Sequence, residues 1–381
     1  MQWSLKQSAE RGAPPRLRRG LAIASAVGVA ALTATGGASA ASGSHKAGAA
    51  AAGPYKIVLS NNFLGNDFRP EMERVAKLTA NLAPFKGKIS LQIVNAQSTA
   101  QAQISSLNSI ILTRPNAILV DDGAGPALNP VIQRACSEHI LVVSFDNPVT
   151  APCAYKVSQD MYHGQVVVGQ WMDWALHNTG KIFVDRGLPG APVSAQIQNG
   201  FMKGLSIGGG SVSVAGQYNG NYAPGPEQQG ISQLLAGNKD VAGVMTQGYC
   251  KPAFKAFQNA GISKLPPTTC YGYNGELVAC AKDHAKCAIL TGSPEVVQIA
   301  LKTALDALNG SAKPPTSKTI PVPMTLYTSS SAGFHPKQNP VNVKIDNIVL
   351  GKNAYPQLAP GLALPFSLPQ YAITAKQAAG G

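Results

Sequence analysis

The chain has 381 residues, 45% of them hydrophobic and 13% charged, with 39 Gly, 28 Pro and a formal net charge of +13. That apolar content is enough for one large core or two ordinary ones, and it excludes a small disulfide scaffold and a disordered polyelectrolyte. The positive charge raises nucleic-acid binding as a function class, so its distribution along the chain decides that question first.

Residues 1–40 read as a signal peptide. Lys6, Arg11, Arg16, Arg18 and Arg19 stand against Glu10 alone, an apolar run covers Leu21 to Leu32, and Ala38-Ser39-Ala40 supplies small residues for cleavage. The apolar run falls short of the ~20 residues a spanning helix needs. Arg18-Arg19 fits a twin-arginine signal, and an ordinary secretion signal fits as well. Removing the segment leaves 26 basic and 17 acidic residues, a charge of +9 with no basic block and no basic-aromatic interleaving, so no nucleic-acid partner is expected. The expected location is the periplasm or another extracytoplasmic space. The first cysteine after the apolar run is Cys136, which speaks against an amino-terminal lipid anchor.

Residues 41–53, rich in Ala, Gly and Ser, read as a flexible leader. Strand and helix patterns then alternate: strand Tyr55 to Ser60, a helix carrying Met72, Val75, Leu78 and Leu82, strand Ile89 to Val94, helix Ala100 to Leu112, strand Ala117 to Val120, helix Asn129 to Glu138, strand Ile140 to Phe145. The same rhythm resumes with helix Gly164 to His177 and runs through strands at 181–184, 212–215, 241–245, 269–273 and 287–290, ending in helix Val296 to Leu308. Such repetition with Val/Ile-rich strands predicts parallel sheets covered on both faces. Thr319 to Tyr327 reads as an extended crossing strand. A Pro-rich tail without helical periodicity follows, and it is expected to pack along one half of the molecule.

Six cysteines, at 136, 153, 250, 270, 280 and 287, would meet an oxidising compartment after export. Pairing of chain neighbours gives Cys136–Cys153, Cys250–Cys270 and Cys280–Cys287, one of fifteen possible connectivities. Zinc is the competing use, but no finger spacing occurs. The catalytic inventory is thin as well. The six histidines are scattered, and there is no Gly-x-Ser-x-Gly elbow and no phosphate loop. Gly208-Gly209-Gly210 reads as a helix stop, and Asp121-Asp122 as a strand-end turn. No catalytic residue, metal or cofactor is assigned, and an enzyme is not expected.

Ligands of open α/β sheets lie beyond the carboxyl ends of the strands. The residues there are Asn61 through Arg69, Asp146-Asn147, Asn219, Asn221, Tyr222, Gln247-Gly248-Tyr249, Asn274 and Thr291-Gly292-Ser293. Carboxylates and amides that bridge hydroxyls, with aromatics to cover a ring face, suit a polyhydroxylated neutral ligand. Trp171 and Trp174 read as helix packing residues.

The opening Tyr55 to Met72, the segment from Gln97 ahead of the second helix, the strand end Val142-Val-Ser-Phe-Asp146, Asp160 with Gly164, and Gly200-Phe201 together resemble the periplasmic sugar-binding proteins of the ribose-binding type, the solute receptors of ABC importers. The resemblance covers nearly the whole mature chain. It implies an α/β fold of two doubly wound, Rossmann-like domains joined by a three-segment hinge that closes on the ligand. Crossings then fall near Val157-Ser158, Gly292-Ser293 and Met324-Thr325. One lobe comprises 54–157 plus 293–324, the other 158–292 plus 325–381 with the tail. The family's contacts map to Asn66, Asp67 and Phe68, to Asp146 and Asn147, and to Gln247 and Asn274. Asn221, Tyr222 and Thr291 join them as strand-end candidates. The family's sugar-clamping Arg is missing between Val193 and Asn199, which makes ribose itself doubtful and leaves another sugar, a polyol or a heterocyclic metabolite. The expected partners are that ligand and an ABC permease, with a monomeric receptor. A sensory receptor for a membrane kinase or chemoreceptor is one alternative. An exported glycan-active enzyme using Asp67, Asp121 or Asp146 is another.

Overall fold

The computed structural model describes residues 53–310, 319–329, 333–364 and 373–379. The expected signal peptide and almost all of the leader lie outside them.

The first lobe is built from β1 (Tyr55–Asn61), α1 (Phe68–Ala80), β2 (Ile89–Asn95), α2 (Ala100–Leu112), β3 (Ala117–Asp121), α3 (Asn129–Ser137), β4 (Leu141–Phe145) and β5 (Tyr155–Ser158). The second lobe takes up α4 (Met161–Ala175), β6 (Thr179–Asp185), α5 (Pro192–Gly208), β7 (Ser211–Tyr218), α6 (Pro224–Gly237), β8 (Gly243–Met245), α7 (Cys250–Asn259), β9 (Thr268–Tyr271), α8 (Asn274–Lys282) and β10 (Cys287–Leu290). The remaining elements are α9 (Val296–Leu308), β11 (Thr319–Pro321), β12 (Thr325–Thr328), β13 (Lys344–Asn347) and α10 (Ala375–Ala379).

Two sheets result, ordered β11-β5-β4-β3-β1-β2 and β13-β12-β10-β9-β8-β6-β7. Pairing is parallel throughout except between β10 and β12. Central strands such as β3 are buried at every residue, as parallel strands with helices on both faces must be. In the first lobe α1 and α9 cover one face with Met72, Val75, Val297 and Leu301, while Leu107, Ile111 and Ile132 cover the other. In the second, α4 and α5 pack backbone to backbone. A Cβ on Gly169 would meet the Phe201 carbonyl, and one on Gly204 the Val166 carbonyl. Trp171 is buried in that core, and Trp174 tilts against Phe334 at 5.7 Å, so both tryptophans pack. Gly209 caps α5 at φ 86°, in the left-handed region that glycine adopts freely.

The chain passes between the sheets three times: after β5, between β10 and α9, and between β11 and β12. The segment read from sequence as one extended strand is thus two short ones, since Val322 to Met324 spans the gap between sheets. β5 escaped the sequence reading because its four residues have no helix of their own ahead of them.

The tail differs most from expectation, because it packs along both lobes. On the second lobe β13 pairs with β12, and Leu364 N–H donates to the Gly272 carbonyl at 2.7 Å. Ala363 N–H then reaches across to the Glu71 carboxylate at 3.0 Å. Further on, α10 rests on α1, where Arg74 Nε donates to the Ala378 carbonyl at 2.6 Å. The structure joins the cysteines as Cys136–Cys153, Cys250–Cys270 and Cys280–Cys287.

Candidate functional site

A cavity lies where the carboxyl ends of the two sheets face each other. From the first lobe Asn62, Phe63, Asn66, Phe68, Arg69, Asp122, Asp146 and Asn147 line it. From the second come Leu188, Val193, Ile197, Tyr222, Gln247, Tyr249, Tyr271 and Tyr273.

Arg69 is the centre of the first wall. It sits in the first turn of α1, only 4% exposed, with its guanidinium against Asp121 and 3.5 Å from Asp146. Phe63 and Phe68 place their rings 5.5 Å from it. Burial pushes its pKa down while Asp146 pulls it up. Burial likewise raises the Asp146 carboxyl, opposed by Arg69, and raises Asp122 to about 6. Asp146 holds φ 57°, a conformation that Asp tolerates better than most residues and that ends β4 in a turn. Asn147 Nδ2 donates to Asp146 at 3.0 Å and to Asp121 at 3.3 Å. Asp122 accepts from the Ala124 and Gly125 N–H groups, the strand-end turn expected of it.

Four buried polar atoms of this wall have no partner within the chain: Asn62 Oδ1, Arg69 Nε, Asp122 Oδ2 and Asn147 Oδ1. An unsatisfied buried donor or acceptor costs about 1–3 kcal/mol, which a polar ligand that bonds to it returns as affinity.

The second wall is made differently. Gln247 directs Nε2 to the Asp185 and Ser194 carbonyls, both at 3.1 Å, and its Oε1 accepts from the Tyr222 hydroxyl at 3.0 Å. The Tyr222 hydroxyl also meets Ser194 Oγ at 2.7 Å. Behind them Asp185 accepts from Gly187, Gly220 and Gln247 N–H groups, and the Tyr218 hydroxyl donates to buried Glu227. Burial raises the Asp185 and Glu227 carboxyls above the usual range. Tyr249 and Tyr273 stack at 5.5 Å, with Tyr271 tilted against Tyr273 at 5.2 Å. This wall turns its bonding inward and offers rings and aliphatic carbons.

Of the sequence candidates, Asn66, Phe68, Asp146, Asn147, Tyr222 and Gln247 are brought together around the cavity. Gln247 braces Tyr222, its polar groups being engaged within the wall. The other four stand elsewhere. Asp67 is on the rim, where its carboxylate accepts from the Tyr249 hydroxyl at 3.3 Å and so joins the two lobes. Asn221 is an exposed turn residue at φ 52°, facing away from the cavity on an outer groove of the second lobe. Asn274 is buried and donates to the Tyr355 and Leu358 carbonyls, so it holds the tail. Thr291 Oγ1 accepts from Thr325 N–H at 2.8 Å, which ties two crossing segments. Asn and Thr at strand ends serve turns and crossings as readily as ligands, and sequence does not separate these uses.

Sequence reasoning noted Arg69 and Tyr249 at strand ends without choosing them as contacts, and it passed over Tyr271 and Tyr273. The signal for Arg69 was its place on the helix face that carries Met72, Glu73 and Ala76, at spacings of three, four and seven. A charge on that face needs opposite charges nearby, and Asp121 and Asp146 close two adjacent strands. Tyr249, Tyr271 and Tyr273 follow or end β8 and β9, positions as favourable as the ones chosen.

A family model described as periplasmic binding protein domain matches residues 57–312. The chain belongs to that family, whose members are solute-binding proteins rather than enzymes. The ribose import binding protein of Bacillus subtilis is 22% identical over 280 residues, 72% of this chain and 87% of that protein. Among solved structures, an ABC transporter solute binding protein from Thermobispora bispora is 26% identical with a TM-score of 0.64, over 71% of this chain and 84% of that one. The Caulobacter myo-inositol binding protein, 20% identical, shares the fold with a TM-score of 0.64 over 73% and 94%. The glycan-enzyme alternative is thereby set aside. The site agrees, because Asp121 and Asp146 share one wall with Arg69 instead of flanking a scissile bond.

Proposed function

We propose that this periplasmic binding protein captures a small neutral polyhydroxylated ligand, a sugar or polyol, between its lobes and presents the closed form to an ABC permease. The observation that carries this reading is the make-up of the cavity, whose first wall holds amides, carboxylates and residues with four partnerless polar atoms and whose second carries tyrosine rings. Hydroxyls suit the first, and the C–H face of a ring suits the second. The names of the relatives, a ribose importer component and a myo-inositol binder, point the same way. Arg69 is already neutralised by its acids, which disfavours a strongly anionic ligand.

Closure is a hinge motion about the three crossings, with lobes 54–157 plus 293–324 and 158–292 plus 325–381, the last segment returning to the first lobe. The ligand stabilises the closed form by touching both walls at once. The receptor is exported by its amino-terminal segment and acts as a monomer. Among the described residues no helix is long and apolar enough to cross a membrane.

Calorimetry and small-angle scattering against pentoses, hexoses and inositols test the proposal. A sugar or polyol that binds one to one and compacts the protein is expected. A panel in which none of them does both would overturn it.

A further inference from the structure

Cys250, Cys270, Cys280 and Cys287 come from four elements, the first turn of α7, β9, α8 and β10. Their four sulfurs lie within 4.8 Å of one another, and those of Cys270 and Cys280, which are not partners, are 4.0 Å apart. The topology forces this meeting. Cys270 lies opposite Ile289, two residues beyond Cys287, so the two strand cysteines project from the same face of the sheet. That face is covered by α7 and α8, which bring the other two. All four are buried among Phe254, Leu277, Ile289 and Tyr327.

We propose that in the reduced chain these four cysteines form a tetrathiolate zinc site, and that metal and the two disulfides are alternative states of one cluster. A single ion with zinc–sulfur bonds of about 2.3 Å places its tetrahedral ligands roughly 3.8 Å apart, which the cluster meets with small side-chain adjustments. Soft thiolates in a dry, four-coordinate closed site suit Zn²⁺. The absent finger spacing is no obstacle, since finger spacing describes ligands from one hairpin, whereas here the sheet does the gathering. Lys251, Lys282 and Lys286 stand within two residues of ligands to offset the site's net charge of −2.

The two states interconvert in balance. Four thiols release four protons on binding one Zn²⁺. Oxidation of the four thiolates forms two S–S bonds, expels Zn²⁺, and delivers four electrons to two equivalents of a disulfide oxidant, each reduced to its dithiol by two electrons and two protons.

The test uses the full chain, reduced with a phosphine, unfolded, and refolded without oxygen in the presence of Co²⁺. One Co²⁺ per chain is expected, with the visible bands and thiolate charge-transfer absorption of a tetrahedral site, displaced by one equivalent of Zn²⁺. Substituting both Cys136 and Cys153 by Ser should leave the spectrum intact, Cys280→Ser should abolish it, and the oxidised chain should give none. Absence of the bands from the reduced chain, their persistence in Cys280→Ser, their loss with Cys136 and Cys153, or their presence in the oxidised chain would each overturn the proposal. Should Cys280→Ser not fold, alkylation of the unsubstituted chain refolded with Zn²⁺ decides. Protection of four thiols with Cys136 and Cys153 modified supports the site, and uniform modification of all six refutes it.

Discussion

The two walls of the cavity solve the same problem with opposite means. The first-lobe wall packs an arginine and two acids, Asp121 and Asp122, at almost zero exposure beside the part-exposed Asp146, and leaves four polar atoms without partners. The second-lobe wall also contains polar side chains, yet none of its lining residues is left unsatisfied, and Gln247, Tyr222, Ser194 and Asp185 bond to one another. A buried group held by its own neighbours is rigid and indifferent to what enters; one left short selects for a ligand that completes it. Polar selectivity is therefore concentrated on the first lobe, and ring coverage on the second.

The severest challenge to this division is Arg69→Met. It strands Asp121 and Asp146 in the interior, and breaking a buried pair costs about 3–5 kcal/mol. Denaturant unfolding should show a loss of that size, and calorimetry no detectable ligand binding. Retained affinity would move selectivity to the second wall.

Acidity probes the charged wall next. Asp122 has its pKa raised from 3.8 to about 6 by burial, so between those values the folded state holds a proton that the unfolded chain has released. Stability then falls as pH rises through that window, by on the order of 2–3 kcal/mol from this group. Glu71, raised by burial from 4.5 to about 8, extends the decline to higher pH. Thermal unfolding across pH should lose the lower step in Asp122→Asn and the upper one in Glu71→Gln. On the second side the buried Asp185 and Glu227 carboxyls, also raised, add to the same decline and do so in both variants.

Tyr222→Phe makes the matching test on the second wall. It deletes bonds to Ser194 and Gln247 and should cost about 0.5–1.5 kcal/mol of stability, with a several-fold loss of affinity at most. A larger loss of affinity would mean that the hydroxyl itself contacts ligand. The smallest effect belongs to Asn221→Gly, which keeps the positive φ and should change stability and affinity by no more than about 0.5 kcal/mol. A measurable loss of ligand there would place Asn221 back in the site.

Legibility in the sequence followed the same divide between repetition and singularity. α2 and α9 were readable to the residue because long apolar periodicities leave one helical solution. The four-residue β5 was not, since it is short and one of its two partners, β11, is distant in the chain. Strand-end positions led to residues that the fold brings around the cavity, Asp146 and Tyr222 among them. Asn274 and Thr291 satisfied the same rule while serving the tail and the crossings. No local pattern reports which strand end faces the opposite lobe. Arg69 was hidden for a related reason, because its acids arrive from strands fifty or more residues away.

The tail changes what the two ends of the folded body belong to. Three crossings alone would begin the chain in one lobe and finish it in the other, but the return past Glu71 to α10 adds a fourth. β1 and α10 are thus both carried by the first lobe. An attachment made on β1 or on α10 would grip the same half, leaving the aromatic half as the one that swings. A fluorophore pair for reporting closure should for that reason not be placed on β1 and α10, which would ride together and stay silent.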